Sequence, residues 1–396
     1  MPDIKTAVAL CAVGAEKVVS NEIRKMGLTV SEGGFGRVRF KTDLAGLYRS
    51  LMGLRAADRV LLEAAWFTAA DFDALFEGAK QRPWEEYIPP RMGLKVSKVR
   101  INRSRLQAET SIQAVVHKAL AERLCAKRGI NRLPENGDDA EIRVYIEKDQ
   151  VSVLLDLSGD PLFKRGYRTS GGIAPLRETT AAAIILHSMW RRKFPLYDPF
   201  CGSGAIAIEA ALYAWDIAPG MGRPFALNKL CIGNKDTERE VREELLEKVD
   251  FSRMVRVGGS DVDAGIIAAA KANMERAIAM ARGSGTGGPP GHLPPFKVLP
   301  MSEALPPPEF AGTDGNAESA GFLITNPPYG RRLGDVESAE KTYREMECLA
   351  RNFPGWKLAV ITDHSGFESF FGRKADSCRE ITNGAVRSYL YQYEKL

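Results

Sequence analysis

Apolar and polar positions alternate in short runs through the first 160 residues, and give way to longer apolar runs after that. Residues 5–11 (KTAVALC) predict a strand, and 15–25 a helix with Val18, Val19, Ile23 and Met26 on one face. Gly33, Gly34 and Gly36 mark a turn before the alternating strand 37–40. Asp43 is placed to cap a helix reaching Met52, and 60–67 predicts another strand. These small β-α-β-β units suggest a ferredoxin-like piece. Pro83, Pro89, Pro90 and Gly93 then punctuate the chain. A strand at 94–101 and a helix at 109–127 follow, the helix with Ile112, Val115, Val116, Ala119, Leu120 and Leu124 on one side. His117 lies beside that apolar face and is expected to be structural. Strands at 141–147 and 151–157 complete a second compact α+β module.

From Leu176 the period changes. A helix rich in Ala and Ile covers 176–190. Strands at 196–198, 254–261, 296–299, 322–325 and 357–363 then alternate with helices such as 205–214 and 264–281. That alternation implies a parallel sheet wound on both faces. The last two strands, 376–382 and 386–393, are joined through Asn383-Gly384, a hairpin dipeptide, so the final pair is expected to be antiparallel. Two Gly- and Pro-rich stretches, 283–295 and 306–321, read as surface loops interrupting this half. The expected fold class is α/β: a C-terminal Rossmann-like, doubly wound seven-stranded sheet with a terminal antiparallel hairpin, behind an N-terminal α+β region.

Composition narrows the function. With 396 residues, 44% hydrophobic and 27% charged, the chain is ordinary globular protein, neither fibrous nor disordered. No run of about 18 apolar residues is present to span a membrane, and Met1–Lys5 shows no basic start to a signal peptide. Six separated cysteines without a CxxC pair read as free thiols in a reducing, cytoplasmic setting, and four unpaired histidines argue against a His-based metal site. The net charge of +5 is unevenly spread. Residues 91–170 carry 16 basic against 10 acidic groups, whereas 1–90 hold 12 of each and 171–396 hold 27 and 28. A local basic block in a balanced chain is either a solvated face or the footprint of a polyanion-binding module.

Three motifs carry chemistry. Asp198-Pro199-Phe200-Cys201-Gly202-Ser203-Gly204 lies between a predicted strand and helix, where glycines admit a ligand close to the backbone. Gly202-x-Gly204 resembles a dinucleotide fingerprint, but the acid expected about 20 residues on is missing, and Asp198 would face a pyrophosphate. A carboxylate there suits a ligand carrying an ammonium, such as the methionine end of S-adenosylmethionine. Asp261, ending the second strand, can accept two ribose hydroxyls, with Val262 against an adenine face and Asp263 capping the next helix. Asn326-Pro327-Pro328-Tyr329 follows the apolar strand 321–325. Its Asn side chain and a neighbouring carbonyl can accept both N–H bonds of an exocyclic amine, the prolines stiffen the turn, and Tyr329 offers a face to a base. An ordinary Pro-rich turn would need none of this company. Cys201 has no histidine nearby to activate it, so a nucleophilic role is not expected. His364, after the fifth strand, borders the same region without a visible partner.

The order DPFCGSG, GSDVD, ITNPPYGRRLG resembles the class I S-adenosylmethionine-dependent amino-methyltransferases of nucleic acid. Residues 155–168 (LDLSGDPLFKRGYR), 174–190 (APLRETTAAAIILHSMW) and 215–226 (WDIAPGMGRPFA) narrow the resemblance to the THUMP-domain guanine-N2 methyltransferases of ribosomal RNA. The resemblance covers nearly the whole chain. It implies a ferredoxin-like domain at 1–67, an RNA-gripping THUMP domain at 68–160 and a methyltransferase domain at 161–396. It also implies cofactor contacts from Asp198, Pro199, Phe200, Gly202, Gly204, Asp261 and Val262, and from Leu176, Arg177 and Glu178 ahead of the first strand. Asn326, Pro327, Pro328 and Tyr329 would hold the guanine amine. The sequence departs from the family after the third strand, where Pro300-Met301-Ser302 replaces an acidic residue near the adenine, leaving Ser302 or backbone groups to stand in. Lys95, Lys98, Arg100, Arg103 and Arg105, with Lys164, Arg165 and Arg168 at the domain junction and Arg331 and Arg332 after the catalytic turn, are the expected phosphate contacts. The implied reaction is methylation of a guanine N2 in large-subunit (23S) ribosomal RNA, with no membrane or metal partner. A tRNA guanine, a DNA adenine, or RNA binding with an impaired cofactor site are the alternatives.

Overall fold

The N-terminal strands and helices form as expected, but they build one sheet where two modules are anticipated. In the computed structural model, residues 4–135, 137–168, 176–282, 290–310, 321–329, 335–384 and 386–396 are described. Strands β1 (Lys5–Cys11), β2 (Thr29–Gly34), β3 (Arg37–Thr42) and β4 (Ala57–Thr68) enclose helices α1 (Glu16–Lys25) and α2 (Leu44–Gly53). Helix α3 (Phe72–Lys80), β5 (Gly93–Asn102), α4 (Glu109–Arg128), β6 (Asp139–Glu147) and β7 (Gln150–Asp156) follow. The strand order is β2-β3-β1-β4-β7-β6-β5. The central strand β4 pairs antiparallel with β1 on one side and β7 on the other, so the expected boundary at residue 67 falls on a strand common to both halves.

Helices α1 to α4 cover one face of this sheet. Val19, Ile23, Leu47, Leu75 and Val116 pack there against Ala9, Phe40, Val60 and Val144 in one buried cluster. Among the described residues no helix covers the other face. It holds a small apolar group of Val8, Leu61 and Leu154 with Leu10 and Tyr145 against it. Asp43 caps α2 as expected, accepting the Gly46 N–H at 2.8 Å. Asp71 caps the unanticipated α3 in the same way through Ala74. His117 is exposed rather than structural, because the apolar side of α4 is carried by Ile112, Val116, Ala119 and Leu120.

The second sheet follows the expected plan. Helix α5 (Glu178–His187) leads to β8 (Leu196–Asp198), α6 (Ala205–Ala214), α7 (Lys235–Leu246), β9 (Val257–Asp261), α8 (Ala264–Arg282), β10 (Phe296–Val298) and β11 (Phe322–Thr325). Helices α9 (Asp335–Glu345) and α10 (Cys348–Asn352), β12 (Lys357–Thr362), α11 (Phe367–Phe371), β13 (Ser377–Asn383) and β14 (Val386–Tyr393) complete it. The order is β10-β9-β8-β11-β12-β14-β13. The first five strands are parallel, and β14 is antiparallel to both neighbours. The order reverses between β8 and β11, and a crevice at such a switch point, beyond the carboxyl ends of the strands, is where open α/β sheets bind ligands. Among the described residues no helix is long and apolar enough to cross a membrane.

Buried polar groups join the two sheets. Arg165, 2% exposed, donates to the carbonyls of Leu162 and Arg55 and faces Glu209 of α6 at 3.4 Å. Tyr167 donates to the same carboxylate at 3.2 Å. At the far edge the Val13 N–H donates to Thr382 Oγ1, and the Thr382 N–H to the Val13 carbonyl. The loop after β1 thereby lies along the outer strand β13.

Candidate functional site

The glycine loop, the end of β9 and the Asn-Pro-Pro-Tyr turn converge on the switch-point crevice. Asp198 ends β8, 1% exposed, and its Oδ1 accepts from the Thr325 hydroxyl at 2.6 Å and the Phe200 N–H at 3.1 Å. Burial pushes its carboxyl from an ordinary 3.8 up to about 7, with Asp261 adding to the rise and the two hydrogen bonds opposing it. Asp261 bridges the loop to β9: Oδ2 accepts from the Gly202 N–H and Oδ1 from the Asp263 N–H, both at 3.1 Å. Asp263 caps α8 through Gly265 and Ile266, which separates its task from that of Asp261 as expected.

Glycine is required here for two different reasons. Gly202 and Gly204 have φ of 51° and 88°, a region L side chains rarely adopt. A Cβ on Gly202 would meet nothing within 4 Å, so this backbone faces open space. Gly259, by contrast, is needed for close approach, since a Cβ there would lie 2.6 Å from that of Cys201. Cys201 is buried, and burial, reinforced by Asp198 and Asp261, raises its thiol well above the usual range, which fits an inert packing role.

Asn326 directly follows Thr325, whose hydroxyl holds Asp198. The Asn corner and the buried carboxylate therefore sit side by side at the ends of neighbouring strands. Pro327 is buried and Pro328 exposed. The Tyr329 hydroxyl donates to Asn326 Oδ1 at 2.5 Å. Tyr343 of α9 supports the turn from behind, its hydroxyl donating to the Pro328 carbonyl at 3.0 Å and lying 2.9 Å from Thr362 Oγ1. Tyr343 was not legible in the sequence, because it lies 15 residues beyond Pro328 in a helix too polar to stand out. His364, without a partner on the sequence reading, has one in Glu340, 3.5 Å from its Nε2, and packs edge-on to Tyr343.

The remaining expected site residues divide. Val262 is 69% exposed beside Asp261. Ser302 is exposed in a short 3-10 turn at 301–303, where its carbonyl accepts from Asn352, while Met301 is buried in the cluster beneath. Leu176, Arg177 and Glu178 make no hydrogen bond to the glycine loop. Arg177 and Glu178 line a separate cavity of about 1000 Å3 at the junction of the two sheets. Arg177 lies over the Phe163 ring at 4.4 Å and faces Asp58, and Glu178 is buried against Arg168. Lys95, Arg100, Arg103 and Arg105 are exposed on and after β5, with Lys98 half-buried. Lys164 is exposed and paired with Asp160.

Two phosphate contacts expected from sequence are corrected. Arg165 is withdrawn from solvent by Glu209 and two carbonyls. Arg168 is 10% exposed, spent on Glu178 and the Leu176 carbonyl. Both guanidinium groups are thus engaged by partners inside the junction. Arg331 and Arg332 lie outside the described residues.

The site fits a ligand with a cationic end and a diol. One deeply buried carboxylate awaits a positive charge, a second is held at the loop by backbone donors, and open backbone lies between them. Among the described residues no cluster of three His, Cys, Asp or Glu side chains suits a metal ion.

Family models match three parts of the chain: an RlmL ferredoxin-like domain over 6–61, a THUMP domain over 69–156, and an RMKL-like methyltransferase domain over 165–282 and 311–392. A Bacillus subtilis (strain 168) protein named "Putative RNA methyltransferase YpsC" is 34% identical over 395 residues, covering 98% of this chain and 95% of its own. The ribosomal RNA large subunit methyltransferase K/L of Syntrophotalea carbinolica is 35% identical over 400 residues, 96% of this chain. The match covers 52% of that relative, so the chain spans about half the length of the K/L proteins it resembles. The crystal structure of SMU.472, described as a putative methyltransferase complexed with SAH, superposes with a TM-score of 0.84 at 34% identity, covering 100% of this chain and 99% of that one.

Proposed function

The chain belongs to the RMKL-like family of S-adenosylmethionine-dependent methyltransferases, and on that premise we propose that it methylates the exocyclic N2 amine of a guanine in 23S ribosomal RNA. The observation that carries the reading is the Thr325–Asp198 hydrogen bond, which sets the amine-accepting corner beside the carboxylate suited to the cofactor ammonium. The K/L relatives, named as ribosomal RNA large subunit methyltransferases, and the match to a THUMP domain support RNA as substrate.

When bound, S-adenosylmethionine supplies an electrophilic sulfonium methyl. The protein positions what surrounds it. Asp198 pairs with the ammonium, and Asp261, fixed by two backbone donors, accepts the ribose hydroxyls. Asn326 Oδ1 and a carbonyl of the turn accept the two amine N–H bonds, which turns the nitrogen lone pair toward the crevice. Asn326 Oδ1 already accepts from Tyr329, so an entering amine exchanges one donor for another at an atom already set as an acceptor. The Tyr329 ring then stacks on the extruded base. Methylation gains from alignment and needs no strong base, since the nitrogen becomes acidic as it takes the methyl and its surplus proton can pass to water.

The test is incubation of purified protein with labelled S-adenosylmethionine and separate unmodified 23S rRNA, tRNA and duplex DNA, followed by nucleoside mass analysis. Label as N2-methylguanine in 23S rRNA is expected. Label confined to tRNA, or N6-methyladenine in DNA, would replace the substrate assignment. No transfer to any of them by protein that binds the cofactor would sink it. Asn326→Ala should abolish transfer with cofactor affinity nearly unchanged.

A further inference from the structure

The helix-free face of the N-terminal sheet carries a feature that catalysis does not use. Trp66 is 57% exposed in β4, the fourth of seven strands, so it stands at the centre of an open sheet. It is on the helix-free face, because its neighbours Ala65 and Phe67 turn toward the other side, Phe67 into van der Waals range of α3 at Gly78. The register places Trp66 opposite Ser152, Ser152 opposite Tyr145, and Tyr145 opposite Arg100. These four residues form one row across β4, β7, β6 and β5. Three inter-strand steps make the row about 14 Å long. The ring of Tyr145 is held by Arg37, whose guanidinium lies 5.8 Å over it and is ion-paired with Glu147.

At the β5 end the row meets cations without local partners. Among the described residues Lys95, Lys98, Arg100 and Arg103 have no carboxylate within ion-pair distance, whereas Arg37, Arg39, Arg59 and Arg143 on the same face are each paired. Free cations on an edge strand also guard against edge-to-edge pairing. Edge protection does not explain a tryptophan three strands inward. A large exposed aromatic amid polar residues is costly to hydrate and gains most from a flat partner.

We infer that this face binds an unpaired RNA segment, with one base stacked on Trp66 and the backbone running toward Arg100 and Lys98. The inference rests on RNA being the substrate, and it names single-stranded RNA as the form this surface takes. Charge complementarity favours a polyanion, and the aromatic row favours one whose bases are free to stack. A duplex hides those faces and would meet the cations alone.

The test uses the full chain, a fluorescent mixed-sequence 12-nucleotide RNA, and the same strand in a duplex. Trp66→Leu should weaken single-strand binding about 5- to 100-fold while changing duplex binding less than about 2-fold. Trp66→Phe should keep most of the affinity. Arg100→Gln should weaken both forms alike and flatten the salt dependence by about one charge. Thermal unfolding and S-adenosylmethionine binding should stay as in the wild type, since no residue here approaches the crevice. Unchanged single-strand affinity in Trp66→Leu, or an equal loss for duplex, would overturn the inference. Failure of the substrate reading itself shows elsewhere, as wild-type protein that transfers methyl to no RNA.

Discussion

In the proposed site Asp198 is under two opposed demands. Its carboxylate is suited to the cofactor ammonium, yet burial raises its pKa from 3.8 to about 7. A group whose folded pKa is raised favours folding below its unfolded value, and that contribution is lost as pH rises through the folded value. Above about pH 7 the ligand-free protein therefore carries a buried charge costing at most about 4 kcal/mol, the equivalent of that rise. Asp198→Asn keeps an oxygen for Thr325 and Phe200 and removes the charge. Its expected result is a higher denaturation midpoint at pH 8, little change at pH 4, and cofactor binding weakened about tenfold or more. Denaturant titration at both pH values and calorimetry with S-adenosylmethionine check the pair. In the wild type, cofactor affinity should fall with pH below about 7, approaching tenfold per pH unit, because only the ionised carboxylate attracts the ammonium. An affinity flat from pH 8 to 5.5 would remove Asp198 from the site.

Asp261 shows the residue scale from the other side. Asp261→Ala strips acceptors from the Gly202 and Asp263 N–H groups as well as from any ribose. It should raise the cofactor dissociation constant and leave saturated turnover closer to normal, a split that steady-state kinetics resolves.

Among elements, the glycine loop and the Asn corner depend on supports that lie elsewhere in the chain. Gly204 begins α6 at φ 88°, and a Cβ there would lie 3.2 Å from Phe296 and 3.3 Å from Ala270. Gly204→Ala should cost about 1–3 kcal/mol and loosen the loop, measured as unfolding free energy and cofactor affinity together. Tyr343→Phe deletes the hydroxyl shared by Pro328 and Thr362. It should lower turnover with cofactor affinity unchanged, since α9 holds the acceptor corner and not the glycine loop.

The same scale shows what the sequence could disclose. Strands β8, β11 and β12 were legible because buried parallel strands are continuous apolar runs stopped by Asp, Asn or Gly. Strand β2 (TVSEGG) is exposed on most positions and α7 (KDTEREVREELL) is two-thirds charged, with only Val241 and Leu245 buried, so neither has a strong apolar rhythm to read. Asp198, Asp261 and Asn326 stood out through their neighbours in the chain. Tyr343, and the Thr325 hydroxyl that joins two motifs, act through contacts made only on folding. Arg165 and Arg168 were misplaced because a positive charge in sequence does not reveal its burial. The partner of Arg165, Glu209, lies 44 residues further on.

For the whole molecule, Arg165 is one place where the halves meet, since it pairs with Glu209 in its own half and donates to the Arg55 carbonyl in the other. Both side chains are almost fully buried, at 2% and 0% exposure. Glu209→Gln leaves Arg165 without its counter-charge, and breaking a buried pair from one side costs about 3–5 kcal/mol. Global stability should fall by that order in denaturant titration, and cofactor affinity should fall with it, because Glu209 lies on the helix that the glycine loop begins. A loss confined to stability would mean that the junction holds the halves together without shaping the loop.

Strand β4 sets a limit on how this protein can be taken apart. A cut at residue 67 would sever neither a linker nor a hinge, because β4 supplies the pairing edge for β1 and for β7. Each fragment would emerge with a raw strand flank seeking a partner, and aggregation would follow. Anyone transplanting the N-terminal half onto another catalyst should carry residues 4–156 as a block and splice after β7, where the chain leaves the sheet.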